Sequence, residues 1–585
     1  MDWLSDEDVR SYGEFRKLTE ETSKSDPETE PFRSKYKARE LLQGLKNKIE
    51  HSIEDHSCED LILLSCCLQY HLGLNYIETE ETSSGEEHLV RCNQKLIDHR
   101  SNHRCAAVAI STLNQLGILW CQRSETQKSL EFLKEAESVY KDFMNNVDAV
   151  PWGVHELFQD ESSHKSDHER KEAFQNIHTL TLYYLAQVYG MLDQKVKSAK
   201  LCHITLKRQL ECKQYTSMDW ALNSATLSQF YIAEDNYPLA RNCLASASCV
   251  FQEILLKHPE ALEVTGDQVE GDIEEIQHRK ADIARCWLKY CIALLTFSGE
   301  KPSHPFQEIE NNEAEEAESE EENSEDYKVP EKFETLELAA WEDKVPDVKV
   351  TSFEEARRLF LAGQQFVSES KCYYVFDGHV SDHIEIVQDH SQLFKLLSQF
   401  EMDYDRRSKM HKRRIDMLVA ILDELNPQFF LHICRQIIFE IAETYNTMVD
   451  VKLEIKRRTE ETPTVHMIKK INTLITKGIE YFQRFIDSLR DPQGVMPDEY
   501  EEHLVRPTLI ANFYIGRLYG NYISTEVADR IKWLESGAEH YKAVVDYCKK
   551  YPTAEKLVKA ELEVCEDMVQ FAPIRIDSLK RGVLY

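Results

Sequence analysis

The stretch that decides the fold is LYYLAQVYGMLDQKVKSAKLCHITLKRQLE, residues 182–211. Its first half places Leu182, the pair 185–186 (Leu-Ala) and Tyr189 at the spacings of the first helix of a tetratricopeptide repeat. Its second half supplies the small, bulky and small residues of the second helix, which are Ser198, Cys202 and Thr205. The small residues let the two helices approach closely, and the aromatic ring fills the gap beside them. The stretch therefore predicts a helix pair.

The same pattern recurs in three other segments. The first repeat reads Leu72-Gly73, Tyr76, Gly85, Leu89 and Cys92; the second reads Leu113, Leu116-Gly117, Trp120, Ser129, Leu133 and Ala136; the fourth reads Leu227-Ser228, Tyr231, Ala240, Leu244 and Ala247. Weaker matches follow at Ile441-Ala442 with Tyr445, Gly478 with Phe482, Ile515-Gly516 with Tyr519, and Gly537 with Tyr541. Ordered repetition of this kind predicts an all-α solenoid of tetratricopeptide-like helix pairs.

An acidic run divides the chain. Residues 308–326, EIENNEAEEAESEEENSED, hold eleven acids and no base, and such a composition favours disorder. We therefore predict a repeat solenoid over 1–300, an acidic disordered loop or linker over 301–350, and a degenerate helical-repeat solenoid over 351–585. Polar stretches at 150–168 and 258–276 predict insertions between helices that form part of a binding surface.

Composition excludes several classes of protein. The formal net charge of −33 opposes binding to nucleic acid and to anionic membrane surfaces, and it favours basic protein faces. The sixteen cysteines include no Cys-x-x-Cys pair, so a zinc module or a thioredoxin-type site is not predicted, and buried free thiols are. No apolar run reaches the roughly 20 residues that span a bilayer, so we expect a cytoplasmic protein without membrane insertion.

Motifs for catalysis are missing from the sequence. It has no phosphate-binding glycine loop, no Gly-x-Ser-x-Gly elbow and no His-Glu-x-x-His helix, and we predict no enzyme activity and no cofactor. His379, His383 and His390 would share one face of a continuous helix, but Gly378 interrupts it and no cysteine is near, so a metal site is not predicted. The basic segment 406–415 fits a nuclear localisation patch, a nucleic-acid contact or a solvated helix face, and the overall charge favours the last.

Groove positions are the remaining candidates for function. In the third repeat Tyr184 and Gln187 lie beside the packing residues, three apart on one helix face, and Thr226 and Gln229 are their equivalents in the fourth. The pattern alone fits partner contact and packing against a neighbouring helix equally well. A lysine and asparagine set that would clamp the carboxyl terminus of a chaperone is not found in these repeats.

Long strings in the chain resemble one family. They are YKARELL (36–42), HLGLNYIETEE (71–81), GEEHLV (85–90), LYYLAQVY (182–189), LCHITLKRQLE (201–211), NSATLSQFYI (223–232), DHIEIVQDHSQLFKLL (382–397), MHKRRI (410–415), IKKIN (468–472), DSLRDP (487–492) and HYKAVVDYC (540–548). The sequences of these segments and their order are similar to those of the kinesin family binding proteins over nearly the whole chain.

The resemblance implies a right-handed α-solenoid of two subdomains that binds the motor domains of kinesins, chiefly of the kinesin-3 and kinesin-8 types. It also implies that the concave side covers the motor's microtubule-binding face, displaces a motor helix and prevents attachment to the track. The family is associated with axon outgrowth and microtubule organisation in developing neurons, and activation of one kinesin-3 is a further implication. These functions place the protein in the cytoplasm, at the cytoskeleton.

The family's contact residues carry over where the strings match. They fall on Tyr184, Gln187, Gln209 and Thr226, whereas the C-terminal contacts cannot be assigned. Ala186 and Ser228 depart from the glycine that is usual in this repeat, which affects the expected curvature. A general tetratricopeptide scaffold or chaperone adaptor is the alternative function.

Overall fold

The computed structural model describes residues 4–55, 58–159, 161–262, 271–299, 331–458 and 464–581, and over these ranges it contains helices and no strand. The helices of the first half are α1 (Asp6–Glu20), α2 (Arg33–Asp55), α3 (Glu59–Glu78), α4 (Thr82–Leu96), α5 (Ala106–Gln122), α6 (Thr126–Asn146), α7 (Asp167–Met191), α8 (Lys195–Glu211), α9 (Ser217–Ala233), α10 (Tyr237–Lys257) and α11 (Asp272–Gly299). Those that follow are α12 (Ala339–Glu342), α13 (Phe353–Tyr373), α14 (Val380–Phe400), α15 (Tyr404–Glu424), α16 (Pro427–Arg458), α17 (Val465–Asp487), α18 (Glu502–Gly520), α19 (Val527–Lys550) and α20 (Lys559–Lys580). The all-α class is confirmed.

One turn geometry joins the two helices in each of the four predicted repeats. A residue with positive φ follows each first helix, and these residues are Glu80 (66°), Ser124 (62°), Asp193 (58°) and Asp235 (52°). The next backbone N–H then donates to the carbonyl of the repeat's aromatic residue, at 2.9 Å in Glu81–Tyr76, 3.0 Å in Glu125–Trp120, 2.9 Å in Gln194–Tyr189 and 2.8 Å in Asn236–Tyr231. This is the six-to-one bond of a Schellman motif, which satisfies carbonyls at the helix end. The four matched segments therefore share one helix–turn–helix connection.

Small residues set the close approach inside the first three pairs. A Cβ at Gly73 would lie 2.7 Å from Leu89 Cγ, and one at Gly85 would lie 2.9 Å from Gly73 O. Where serine replaces the second small residue, its hydroxyl bonds the facing helix. Ser129 Oγ donates to Gly117 O at 2.7 Å, and Ser198 Oγ donates to Ala186 O at 2.7 Å. The hydroxyl supplies a specific contact at the place where a larger side chain would clash.

The weaker matches of the second half are also sites of close approach. A Cβ at Gly516 would lie 2.8 Å from the ring of Tyr541, and one at Gly537 would lie 3.2 Å from Gly516 O. A Cβ at Gly478 would lie 3.0 Å from Leu518 and 3.5 Å from Tyr445. These contacts join α18 to α19 and α17 to α16 and α18, so the degenerate pattern marks helix packing like that of the first four repeats.

The described residues group into two compact units. The first contains those within Met1–Phe230 and Pro305–Glu337, and the second contains those within Tyr231–His304 and Leu338–Tyr585. In the first unit, Tyr12, Leu42, Leu68 and Leu89 belong to one core with at most 1% of each side chain exposed. In the second, Leu418, Ile441, Ile475 and Ile515 form a core of the same kind. The division into a solenoid over 1–300, a loop or linker over 301–350 and a second solenoid over 351–585 stays a prediction.

The two predicted insertions and the acidic loop have different outcomes. The first insertion packs into the first unit, where Leu157 and Phe158 are each 1% exposed. Residues 263–270 of the second insertion and residues 300–330, which hold the acidic run, lie outside the described residues. After that stretch Phe333 is buried in the first unit and stacks on His203 with ring centroids 4.6 Å apart.

The cysteines are free thiols, and of the sixteen, all within the described residues, Cys372 alone is exposed. In the same part of the chain none of the helices has a segment both long enough and apolar enough to cross a bilayer.

Candidate functional site

Two positions per repeat lie beside the packing residues of the first helix. They are the residue two before the small residue and the residue one after it, and the shared turn makes them equivalent in every repeat. The first position holds His71, Gln115, Tyr184 and Thr226 in α3, α5, α7 and α9, and the second holds Leu74, Ile118, Gln187 and Gln229. We call these eight residues the register positions.

Residues of the first insertion lie beside His71, Leu74 and Gln115, three of the register positions of α3 and α5. Tyr12 OH lies 2.9 Å from His71 Nε2 and 2.8 Å from Nδ1 of His155, an insertion residue. Cys67 Sγ donates to Val154 O at 3.1 Å, and the rings of His71 and His155 stack 4.7 Å apart. Gln115 lines a cavity of about 380 Å³ whose wall the insertion completes with Trp152. These positions are used for internal packing.

Of the register positions of α7 and α9, two are exposed and two are half-buried, and Gln229, one of the half-buried residues, donates from Nε2 to Ser228 Oγ at 3.0 Å. Gln187 and Thr226 are exposed, and Tyr184 is partly buried against the core that includes Leu185 and Tyr189. Thr226 Oγ1 donates to Leu222 O at 2.9 Å, which leaves its oxygen able to accept a bond from a partner. The two insertion-free helices therefore present the candidate surface of the first unit.

An exposed apolar stripe accompanies these residues on α7. Leu180 is 39% exposed, Tyr183 36% and Met191 57%, and with Tyr184 and Gln187 they recur at spacings of three and four. Leu180, Tyr183 and Met191 were not among the predicted contact residues, although their helical spacing to Tyr184 is visible in the sequence. Large exposed side chains in one stripe are typical of a protein-binding face.

Gln209 lies on a different kind of element. It is half-buried in the last turn of α8, where its carbonyl accepts from Gln214 N at 3.0 Å as the chain turns towards α9. Arg208 ties this turn to α7 through a bond from Nε to Thr179 Oγ1 at 3.0 Å. Among the described residues no hydrogen bond or ring contact joins any two of Tyr184, Gln187, Gln209 and Thr226. The four side chains occupy three consecutive helices.

The chemistry of this surface is that of neutral hydrogen-bonding groups beside apolar ones. Burial, followed by the neighbouring Tyr183, raises the pKa of Tyr184, so its hydroxyl stays protonated at neutral pH. Amide, hydroxyl and phenol groups orient a partner without holding a charge. The arrangement suits protein recognition.

The histidine stretch and the basic segment have structural partners. α14 begins at Val380, so His379 precedes the helix, while His383 Nδ1 lies 2.8 Å from Tyr374 O. Nowhere in the described part of the chain do three or more potential ligands gather in a way that would hold a metal ion. In the basic segment Arg406, Lys409, Lys412 and Arg413 face solvent, as predicted. His411 and Arg414 are instead buried at 3% and 4% exposure, so the helix has one solvated face and one packed face.

Known proteins resemble the chain over nearly its full length. A family model described as KIF-1 binding protein C terminal matches residues 218–579. A KIF-binding protein from Gallus gallus is 42% identical, with 97% of this chain and 96% of the relative covered. The Homo sapiens KIF-binding protein is 39% identical with 95% of each covered, and that of Drosophila melanogaster is 31% identical with 97% and 96% covered.

A solved structure described as a cryo-EM map of KIFBP has the same fold. It superposes with a TM-score of 0.61 at 34% identity, and the match covers 94% of this chain and 96% of the other. With identity above 30% over almost the whole length, the chain belongs to the KIF-binding protein family.

Proposed function

We propose that this chain binds kinesin motor domains and regulates them without acting as an enzyme. The observation that carries the proposal is the match to relatives named KIF-binding protein over 95–97% of the chain. The open surface of α7 and α9 supports it, because a face with exposed Leu180, Tyr183 and Met191 suits a protein partner.

Charge supports a mechanism of blocking. A microtubule presents an acidic surface, so the motor face that meets it is basic, and a protein with a net charge of −33 competes for that face. We infer that the bound chain covers the microtubule-binding face of kinesin-3 and kinesin-8 type motors and prevents attachment to the track. This action belongs in the cytoplasm at the cytoskeleton, where it would control axon outgrowth and axonal microtubule organisation.

Tyr184, Gln187, Gln209 and Thr226 are our proposed contacts in the first unit. Tyr184 and Gln187 are three apart on one face of α7, and Thr226 takes the position of Tyr184 in the next pair. A phenol, amides and a hydroxyl pair well with the mixed polar surface of a motor domain.

Co-sedimentation tests the mechanism. A kinesin-3 motor domain is mixed with microtubules in a non-hydrolysable nucleotide, and the protein is added up to saturation. We expect the motor to move from the pellet to the supernatant, and more completely at low salt than at high salt because charge steers the encounter. A motor that still pellets in full would contradict blocking.

A direct binding measurement separates binding from blocking. Fluorescence anisotropy of a labelled motor domain without microtubules gives the affinity. If the motor binds saturably but still pellets in full with microtubules, kinesin binding stands and the blocking mechanism is rejected. If neither kinesin-3 nor kinesin-8 motors bind, the proposed function is rejected.

A further inference from the structure

Positions equivalent to the register positions occur in α16 and α18 of the second unit, and three of these four positions carry charged side chains. Ala442 in α16 and Gly516 in α18 are the small residues that precede Tyr445 and Tyr519, as in the first four repeats. Counting two before and one after each small residue gives Glu440 and Glu443 in α16, and Tyr514 and Arg517 in α18. The positions that hold Tyr184 and Gln187 in α7 thus hold two carboxylates in α16.

Three of these residues, Glu440, Glu443 and Tyr514, line a polar cavity of about 370 Å³ within the second unit. Its walls include Asp389 from α14, Arg414 from α15, Glu440, Glu443 and Asn446 from α16, and Tyr514 from α18. Four helices therefore converge on one space that is lined mainly by charged and amide groups.

Two of the carboxylates are already neutralised by the protein. Glu440 Oε1 accepts from Arg414 Nη2 at 3.1 Å and from Ser391 Oγ at 2.6 Å, and Arg414 is 4% exposed. Asp389 accepts from Lys289 Nζ at 2.9 Å. These pairs neutralise the carboxylates of Glu440 and Asp389 within the cavity wall.

Other acceptors in the cavity lack partners. Asn446 is 6% exposed, and its Oδ1 is buried with no hydrogen bond. The Glu443 carboxylate and the Tyr514 hydroxyl make no hydrogen bond or ion pair with any described residue, and burial raises the pKa of Glu443. Lys395 lies exposed at the rim and makes no ion pair within 4 Å in the described ranges. Lys395 and Arg414 attract the Glu443 carboxylate without a hydrogen bond and offset part of the effect of burial on its pKa. A carboxylate and an amide oxygen that lack hydrogen-bond donors suit a ligand that brings donors and positive charge.

We propose that this cavity receives a lysine or arginine side chain of a protein partner, with Glu443 and Asn446 Oδ1 as its acceptors. An ammonium or guanidinium group has only donors, so it satisfies both acceptors without leaving a new one unpaired. The inference rests on the proposed function, since it places part of the basic face of a motor domain against the second unit.

The test compares two substitutions that each remove one negative charge. Glu443→Gln keeps the shape of the side chain, and Glu535→Gln changes an exposed glutamate on α19 away from the cavity. With the full chain and a kinesin-3 motor domain, we expect Glu443→Gln to weaken binding about tenfold and Glu535→Gln to change it less than about twofold. Glu443→Lys, which places a cation in the cavity itself, should weaken binding further.

Stability distinguishes a binding group from a structural one. Because burial disfavours the ionised form of Glu443, its replacement by glutamine should leave the melting temperature unchanged or raise it. Weaker binding together with retained stability supports the proposal. Equal motor affinity for Glu443→Gln and the unsubstituted protein overturns it while the proposed function stands.

A tetralysine peptide separates the two proposals. If the protein binds the peptide, and Glu443→Gln weakens this binding while Glu535→Gln does not, the cavity proposal is supported. If no motor binds in the same series, the proposed function alone is rejected. If both substitutions change peptide binding and motor binding equally, the effect comes from overall charge, and the cavity proposal is rejected.

Discussion

At the scale of single residues, the packing residues and our proposed contact residues are different side chains of the same helix. Leu185, Ala186 and Tyr189 form the helix pair, while Tyr184 and Gln187, one position away, face outward. The sequence predicted this division for α7 because the repeat pattern specifies the buried positions. It did not predict that His71 and Gln115 are covered, since contact with the insertion depends on residues such as Tyr12 and Val154 that are distant in sequence.

Gln187 offers a clean test of contact in the first unit. Its side chain is exposed and holds no hydrogen bond in the described residues, so Gln187→Ala should leave the melting temperature unchanged. If it contacts the motor domain, affinity should fall by about 1 kcal/mol or more, measured by anisotropy with a labelled motor.

Tyr184→Phe extends this test to the phenol. The ring keeps its packing against Leu185 and loses only the hydroxyl, while Tyr36→Phe, an exposed tyrosine on α2, serves as the control. Unchanged affinity in Gln187→Ala and Tyr184→Phe alike would remove α7 from the contact surface.

At the scale of helices, one turn and one close approach define each repeat. The positive φ at Glu80, Ser124, Asp193 and Asp235 is not readable from residue type, because none of these residues is glycine. The close approach of the two helices at Gly117 can be predicted from the sequence, because the glycine marks it. The basic segment 406–415 was predicted only in part, because the helical spacing of three and four residues buries His411 and Arg414.

Two glycines in helices should respond in opposite directions to alanine. A Cβ at Gly117 would lie 2.6 Å from Leu133 Cγ, so Gly117→Ala should destabilise by about 1–3 kcal/mol. Gly44 in α2 has no atom within 4 Å of that place, so Gly44→Ala should stabilise by about 0.5–1 kcal/mol through helix propensity. Urea midpoints measure both, and a stabilising Gly117→Ala would contradict the packing described for α5 and α6.

At the scale of the whole molecule, buried histidines set the response to acid. Burial lowers the pKa to about 4 for His88, His155, His203 and His390 and to about 3 for His178 and His411. Between about pH 6.5 and 4 the unfolded chain binds protons that the folded chain does not, so stability should fall as pH falls. The raised pKa values of the carboxyls of Asp389, Glu443 and Asp450 act in the opposite sense and offset part of this loss.

Melting temperatures at pH 7.5, 6.5, 5.5 and 4.5 measure this effect. We expect a flat region above pH 6.5 and a decline below it. His178, whose two ring nitrogens have no hydrogen bond, is the group to replace: His178→Leu should reduce the slope, and His466→Leu at an exposed position should not. A curve that stays flat to pH 4.5 would contradict the burial of these rings.

The separation between packing positions and register positions has an evolutionary consequence. Tyr184 and Gln187 in α7 and Glu443 in α16 occupy equivalent places outside the packing positions, so we expect substitutions there to change partner recognition while the helix pairs stay intact. Selection can therefore change partner choice one position at a time. In a lineage that binds a different kinesin, we expect the first substitutions at these positions.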